Sequence, residues 1–175
     1  NPFLPQALET PAELNGHFLL LAYDQLNNHW RFLTDRLGTL HLYFMDDGKS
    51  VAIGTFSPAV ADAASNKELD WAAIASFFQF GFFLGQQTYW QDVRLLEPAT
   101  HLVMDHLGKV VSKQKTWSWF YEPDHNLSFD SAVENFADIF NTVILDQING
   151  KSFALPISGG LDSRSTLIPI TTSER

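Results

Sequence analysis

ELNGHFLLLAYDQLNNHWRFLTDRLGTLHLYF, Glu13 to Phe44, is the stretch on which the fold turns. Gly16 to Asp24 is an apolar run of strand length, and Gln25 to Asn28 is a polar turn. His29 to Asp35 then alternates apolar with polar residues, the signature of a half-buried strand. The two runs form a hairpin. Downstream, LHLYFMDDGKSVAIGT (Leu40 to Thr55) reads as a second hairpin with Asp46-Asp47-Gly48-Lys49 at its turn, since Asp-Gly favours the tight connections that join antiparallel strands.

Beyond the hairpins the period changes. Trp71, Ile74, Phe77, Phe78 and Phe82 recur at three- and four-residue steps, so a helix is predicted over Asp70 to Leu84 with Asp70 as its cap. Its phenylalanines are read as core. Arg94 to Trp117 reads as two further strands joined around His106 to Gly108. The polar loop Tyr121 to Ser128 holds a proline and has no apolar period, and a domain boundary is placed in it near Tyr121 to Asn126. Asp130 to Ile148 carries an apolar stripe of helical spacing, with Ser128 or Asp130 as cap and Gly150 beyond its end. SFALPI, Ser152 to Ile157, is predicted to be a last strand.

That strand leads into SGGLDSR, Ser158 to Arg164. Glycines let a backbone approach an anion, and the N–H groups at a helix start favour negative charge. Ser158 and Ser163 add hydroxyls, while Asp162 suits either a metal bridge to phosphate or a helix cap. The plain alternative is a helix N-terminus with an acid in its first turn. Pro169 is expected to interrupt that helix early.

Composition narrows the function. The chain has 175 residues, 45% of them hydrophobic, and a net charge of −9. That sign argues against nucleic acid and anionic membranes as partners. Neither a signal peptide nor an apolar run long enough to span a bilayer is visible, so a cytoplasmic location is expected. With no cysteine in the sequence, disulfides and thiolate chemistry are excluded for these residues. None of the six histidines stands at helical metal spacing, so no metal site is expected. Asp35 and Arg36, beside the Gly38 turn, are read as scaffold rather than catalysis, and no catalytic residue is assigned.

Two of these motifs together carry a family resemblance. SGGLDSR after an apolar run resembles the pyrophosphate loop of ATP-pyrophosphatases. Asp35 to Phe44, DRLGTLHLYF, is similar to a stretch of the glutamine-amidotransferase domain that precedes that loop in the asparagine synthetase family. The resemblance spans about Glu13 to Arg164 in the family's order. It implies an α+β fold: partial Ntn-type antiparallel sheets with helices over 1–121, then over 127–175 the first helix, strand and loop of an α/β ATP-pyrophosphatase domain.

It also implies an ATP-dependent amide-forming ligase in which Ser158, Gly159, Gly160, Asp162 and Ser163 hold the pyrophosphate of Mg-ATP. ATP and Mg2+ are thus cofactors of a parent protein, and ATP or pyrophosphate is the expected partner. The family's glutaminase uses an N-terminal cysteine, so no glutaminase activity is expected here. LNGHF superficially matches the family's Asn-Gly-Glu stretch but fits a later strand, so glutamine binding is not carried onto Asn15 or Gly16. The chain is expected to be an inactive fragment that self-associates or pairs with the remainder of a longer protein. A scaffold with a vestigial loop, a regulatory nucleotide-binding domain, and a relative closing β-lactam or lasso-peptide rings stay open as alternatives.

Overall fold

The structure, a computed structural model, describes residues 8 and 10–173. It divides into two compact units, Asn1–Phe120 and Tyr121–Arg175. The first is α+β and antiparallel. Its strands are β1 (Leu19–Asp24), β2 (His29–Thr34), β3 (Tyr43–Asp46), β4 (Val51–Gly54), β5 (Val93–Leu95), β6 (Thr100–Asp105) and β7 (Val110–Lys115). They form a four-stranded sheet of order β1-β2-β6-β7 and a three-stranded sheet of order β4-β3-β5. The unit also holds helices α1 (Ser57–Asp62) and α2 (Trp71–Phe80) and a short 3-10 helix at Pro11–Glu13.

Alternation along the strands explains the layering. Phe32, Leu102 and Met104 of the larger sheet pack with Leu42 and Leu96, and Leu19, Phe44 and Ile53 close around them. Phe44 and Ile53 belong to the smaller sheet, so this is the core between the sheets. Met45 and Val93 point the opposite way and pack with Val60, Ala61 and Ala64 in and after α1. A period of two thus gives the smaller sheet two buried faces, one on its partner sheet and one on α1.

Both predicted hairpins form. In the first, Asp24 accepts bonds from the Leu26 and Asn27 amides and pairs with Arg31 at 3.0 Å. In the second, Asp47 accepts from the Lys49 and Ser50 amides and, across 2.7 Å, from the Ser65 amide just past α1. Its Ser65 bonds, followed by those to Ser50 and Lys49, hold its carboxyl far below the usual range.

Several expectations need correction. Arg94 to Trp117 holds parts of three strands rather than two. Pro98 has no N–H to donate, and Ala99 turns at φ +52°, so the chain leaves the smaller sheet after β5 and enters the larger as β6. The aromatic helix stops at Phe80, not Leu84, because Gly81 takes the left-handed conformation at φ +81° and its N–H bonds the Phe77 carbonyl. Helix α1 carried too short a period to be seen in the sequence.

The second unit holds α3 (Phe129–Ile148) and α4 (Leu161–Ser173), which pack together. Ser128 caps α3 by accepting from the Ser131 amide. Ser152 to Ile157 is not a strand: the segment pairs with no other among the described residues, and an apolar run becomes a strand only beside a neighbour. Pro169 does not end α4 early. Proline forfeits one helical bond, but Pro169 and Ile170 are both buried, and that burial offsets the loss. Among the described residues no helix is long and apolar enough to cross a membrane.

Candidate functional site

Helix α4 begins at Leu161, directly after the two glycines, and the loop before it closes on its own hydroxyls. The Ser158 amide donates to Ser163 Oγ at 3.1 Å, and the Gly160 amide donates to Ser158 Oγ at 3.2 Å. The two hydroxyls lie 2.9 Å apart. Arg164 Nε reaches back to the Gly160 carbonyl at 3.2 Å. Gly159 stands at the open apex, where an added Cβ would meet nothing within 4 Å. Asp162 is exposed in the first turn. Ser158, Gly160 and Ser163 are therefore linked by direct bonds, and Gly159 and Asp162 flank them.

Asp35 and Arg36, read from the sequence as scaffold, stand at a structural knot. Asp35 is only 1% exposed. Its carboxylate accepts from the amides of Phe18 (3.3 Å), Leu37 (2.9 Å) and Thr39 (3.1 Å), and from Thr39 Oγ1 (3.3 Å). Burial pushes this carboxyl up, but the amides of Thr39, Leu37, Phe18 and Leu40 together outweigh it and hold it below the usual range. Its backbone carbonyl accepts from the Gly38 and Ala99 amides. Gly38 turns at φ +64°, with Pro98 Cγ 2.9 Å from the position of an added Cβ. Asp35 therefore joins three segments around itself and faces no open site. Arg36 sends its guanidinium over the Trp117 ring, 5.9 Å from its centroid.

Two features escaped the sequence, because each depends on long-range register. A cleft of about 400 Å3 opens between the sheets, walled by Leu21, Trp30, Phe32 and Met104 on one side and Val51 and Ile53 on the other, with His106 beside Gly108. On the opposite face of the larger sheet, β2–β6 pairing sets His101 beside Leu33, with Arg31 two residues along. Burial first, and the Arg31 charge second, hold His101 below its ordinary value, and its Nε2 has no hydrogen-bond partner among the described residues.

This burial fixes a sign. A histidine whose folded value lies below the unfolded ~6.5 binds protons more readily when unfolded. Its contribution is complete above that pH and is lost as pH falls toward the folded value. The urea midpoint of the wild type is expected to fall between pH 7.5 and pH 5.5 (about one unit either side of that ~6.5), and His101→Gln is expected to flatten that fall. Among the described residues, no group of histidines and carboxylates forms a metal-binding cluster.

Two antiparallel sheets that share a core, with α1 on one outer face of the smaller, make an α+β unit around the Asp35 knot. The glutamine amidotransferase domain model matches residues 7–117, well over half of the chain, and the chain belongs to that family. No curated protein matches the chain. A thiol nucleophile is not among these 175 residues, which contain no cysteine.

Proposed function

We propose that this chain is part of an ATP-dependent amide-forming ligase of the asparagine synthase type. On this reading an Ntn-type amidotransferase sandwich is followed by the first helix, extended segment and pyrophosphate loop of an ATP-pyrophosphatase unit. The observation that carries it is order along the chain. The family match ends at residue 117, a separate compact unit begins at Tyr121, and that unit sets the glycine loop against the start of α4.

The loop's donors suit a polyphosphate. The Ser158 and Gly160 amides already face oxygen acceptors, and those acceptors are hydroxyls, which can rotate and donate to an incoming oxyanion. Gly159 leaves the apex open to close approach. Ser158, Gly159, Gly160 and Ser163 would hold the phosphate oxygens, and Asp162 would face the magnesium that offsets its charge. When bound, Mg-ATP supplies the activation of a carboxylate as its adenylate, which ammonia or an amine then attacks. Asparagine formation and the closure of β-lactam or lasso-peptide rings all draw on this one chemistry.

A second reading, a scaffold with a vestigial loop, draws on the internal bonding of those same amides and on the absence of cysteine. Calorimetric titration with magnesium pyrophosphate separates the two. The ligase reading expects binding by the wild type, weakened at least ~10-fold (about 1.4 kcal/mol) in Asp162→Ala and in Ser163→Ala. Absence of binding by the wild type rejects it for this chain and leaves the scaffold.

A further inference from the structure

The edge strands β5 and β7 meet at a second, smaller cavity of the first unit. Strand pairing sets both Ile53 and Arg94 opposite Phe44, so these three share one face of the smaller sheet. Phe44 and Ile53 pack into the core between the sheets, which places Arg94 on that inner face as well. On the larger sheet Lys113 stands opposite Leu102, and Leu102 belongs to the same core. Each sheet thus brings one cation to its inner face at an edge strand. The cavity there holds about 190 Å3 and is walled by Phe44, Leu96, Leu102 and Val110 together with Arg94 and Lys113.

The two cations differ in what they hold. Lys113 is matched by the carboxylate of Glu97 at 2.9 Å. Arg94 has no acid: among the described residues its guanidinium makes one hydrogen bond, from Nη1 to the carbonyl of its neighbour Val93 at 3.3 Å. The other N–H groups of the fork are left for a ligand, and a fork of that geometry fits a carboxylate with two parallel bonds. Arg94 is exposed, so its charge stands where the cavity opens, beside apolar walls. Size sets the rest of the ligand. A water takes ~30 Å3 of liquid, so the cavity has room for roughly six groups of that size. An amine would meet the wrong charge, and a bare anion would leave the apolar walls unfilled.

We propose that this cavity binds a short-chain aliphatic carboxylate, with its chain among Phe44, Leu96 and Leu102 and its carboxylate on the Arg94 fork. A ligand of so few atoms binds in the millimolar range. Titration of the 15N-labelled full chain with butyrate up to about 50 mM, a range that brackets a millimolar dissociation constant, tests it at constant ionic strength. The Leu95, Leu96 and Leu102 amides are expected to shift saturably. Butyramide, which keeps the shape without the charge, and acetate, which keeps the charge without the chain, are each expected to bind at least ~10-fold more weakly.

Arg94→Gln is expected to weaken butyrate at least ~10-fold with unchanged circular dichroism. Lys49→Gln, at an exposed cation of the β3–β4 turn, is expected to change nothing. Should Arg94→Gln fail to fold, the comparison of butyrate with butyramide and acetate on the wild type decides alone. No saturable shift at these amides overturns the proposal. So does butyramide binding as well as butyrate, or butyrate binding indifferent to Arg94→Gln. Acetate and butyrate acting alike would show an adventitious ion only, and that too overturns it.

Discussion

Replacing Asp35 by alanine is expected to lower unfolding stability by about 3–5 kcal/mol, read as a shift in urea midpoint at constant slope. Each buried donor left without an acceptor costs ~1–3 kcal/mol, and the Asp35 carboxylate serves the Phe18, Leu37 and Thr39 amides together with the Thr39 hydroxyl. The Asp35 carboxylate is buried while Leu37 and Thr39 are exposed, so water recovers part of the loss at their amides and keeps it near the low end of the summed cost. Asp35→Asn keeps one acceptor oxygen at nearly the same volume, so it is expected to lose about half as much. The pH dependence separates charge from shape. A carboxylate whose folded value lies below the unfolded ~3.9 stabilises fully above that pH, and the contribution is lost as pH falls through the folded value. The gap between wild type and Asp35→Asn is therefore expected to narrow as the solution is acidified below pH ~4. A midpoint unchanged by Asp35→Ala would show that the knot does not hold the segments together.

Gly38→Val is expected to cost about 3 kcal/mol or more, through two separate causes. At φ +64° a β-branched residue is strained whatever space surrounds it. Space is also lacking: an added Cβ would stand 2.9 Å from Pro98 Cγ and 3.4 Å from Pro98 Cα, and the second of these is backbone. Pro98 cannot withdraw freely, because the Ala99 amide next to it bonds the Asp35 carbonyl at 2.8 Å. Gly38→Ala is expected to fall between the wild type and Gly38→Val. A valine variant as stable as wild type would contradict the close approach of these segments.

The two variants also explain why Asp35-Arg36-Leu37-Gly38 is so readable as sequence. An acid that satisfies a turn and a glycine that takes positive φ act over a few residues, so their chemistry is local and legible. The hairpins at Asp24 and Asp47 were readable for the same reason: each acid bonds amides two or three residues on. Period alone revealed α3 and most of α2. What stayed hidden depends on partners distant in sequence. Nothing local tells that β5 pairs with β3 while β6 pairs with β2. The inter-sheet cleft and the buried face around His101 follow from that pairing. Ser152 to Ile157 shows the converse, an apolar run of strand composition that pairs with no other among the described residues. The glycine loop itself was legible as a helix start, and α4 does begin there; its closure by Ser158 and Ser163 was not, since it needs the first turn of the helix to be in place.

On the ligase reading, the amides before α4 act as an anion cradle. The most direct measurement is the amide spectrum of the 15N-labelled chain as magnesium pyrophosphate is added. The Gly159 and Gly160 amides are expected to shift saturably along with their neighbours through Ser163, as the serine hydroxyls give way to phosphate oxygens, while the amides of Leu37, Gly38 and Thr39 around Asp35 stay in place. Glycine amides that remain unmoved at saturating pyrophosphate, or shifts confined to the first unit, would contradict it.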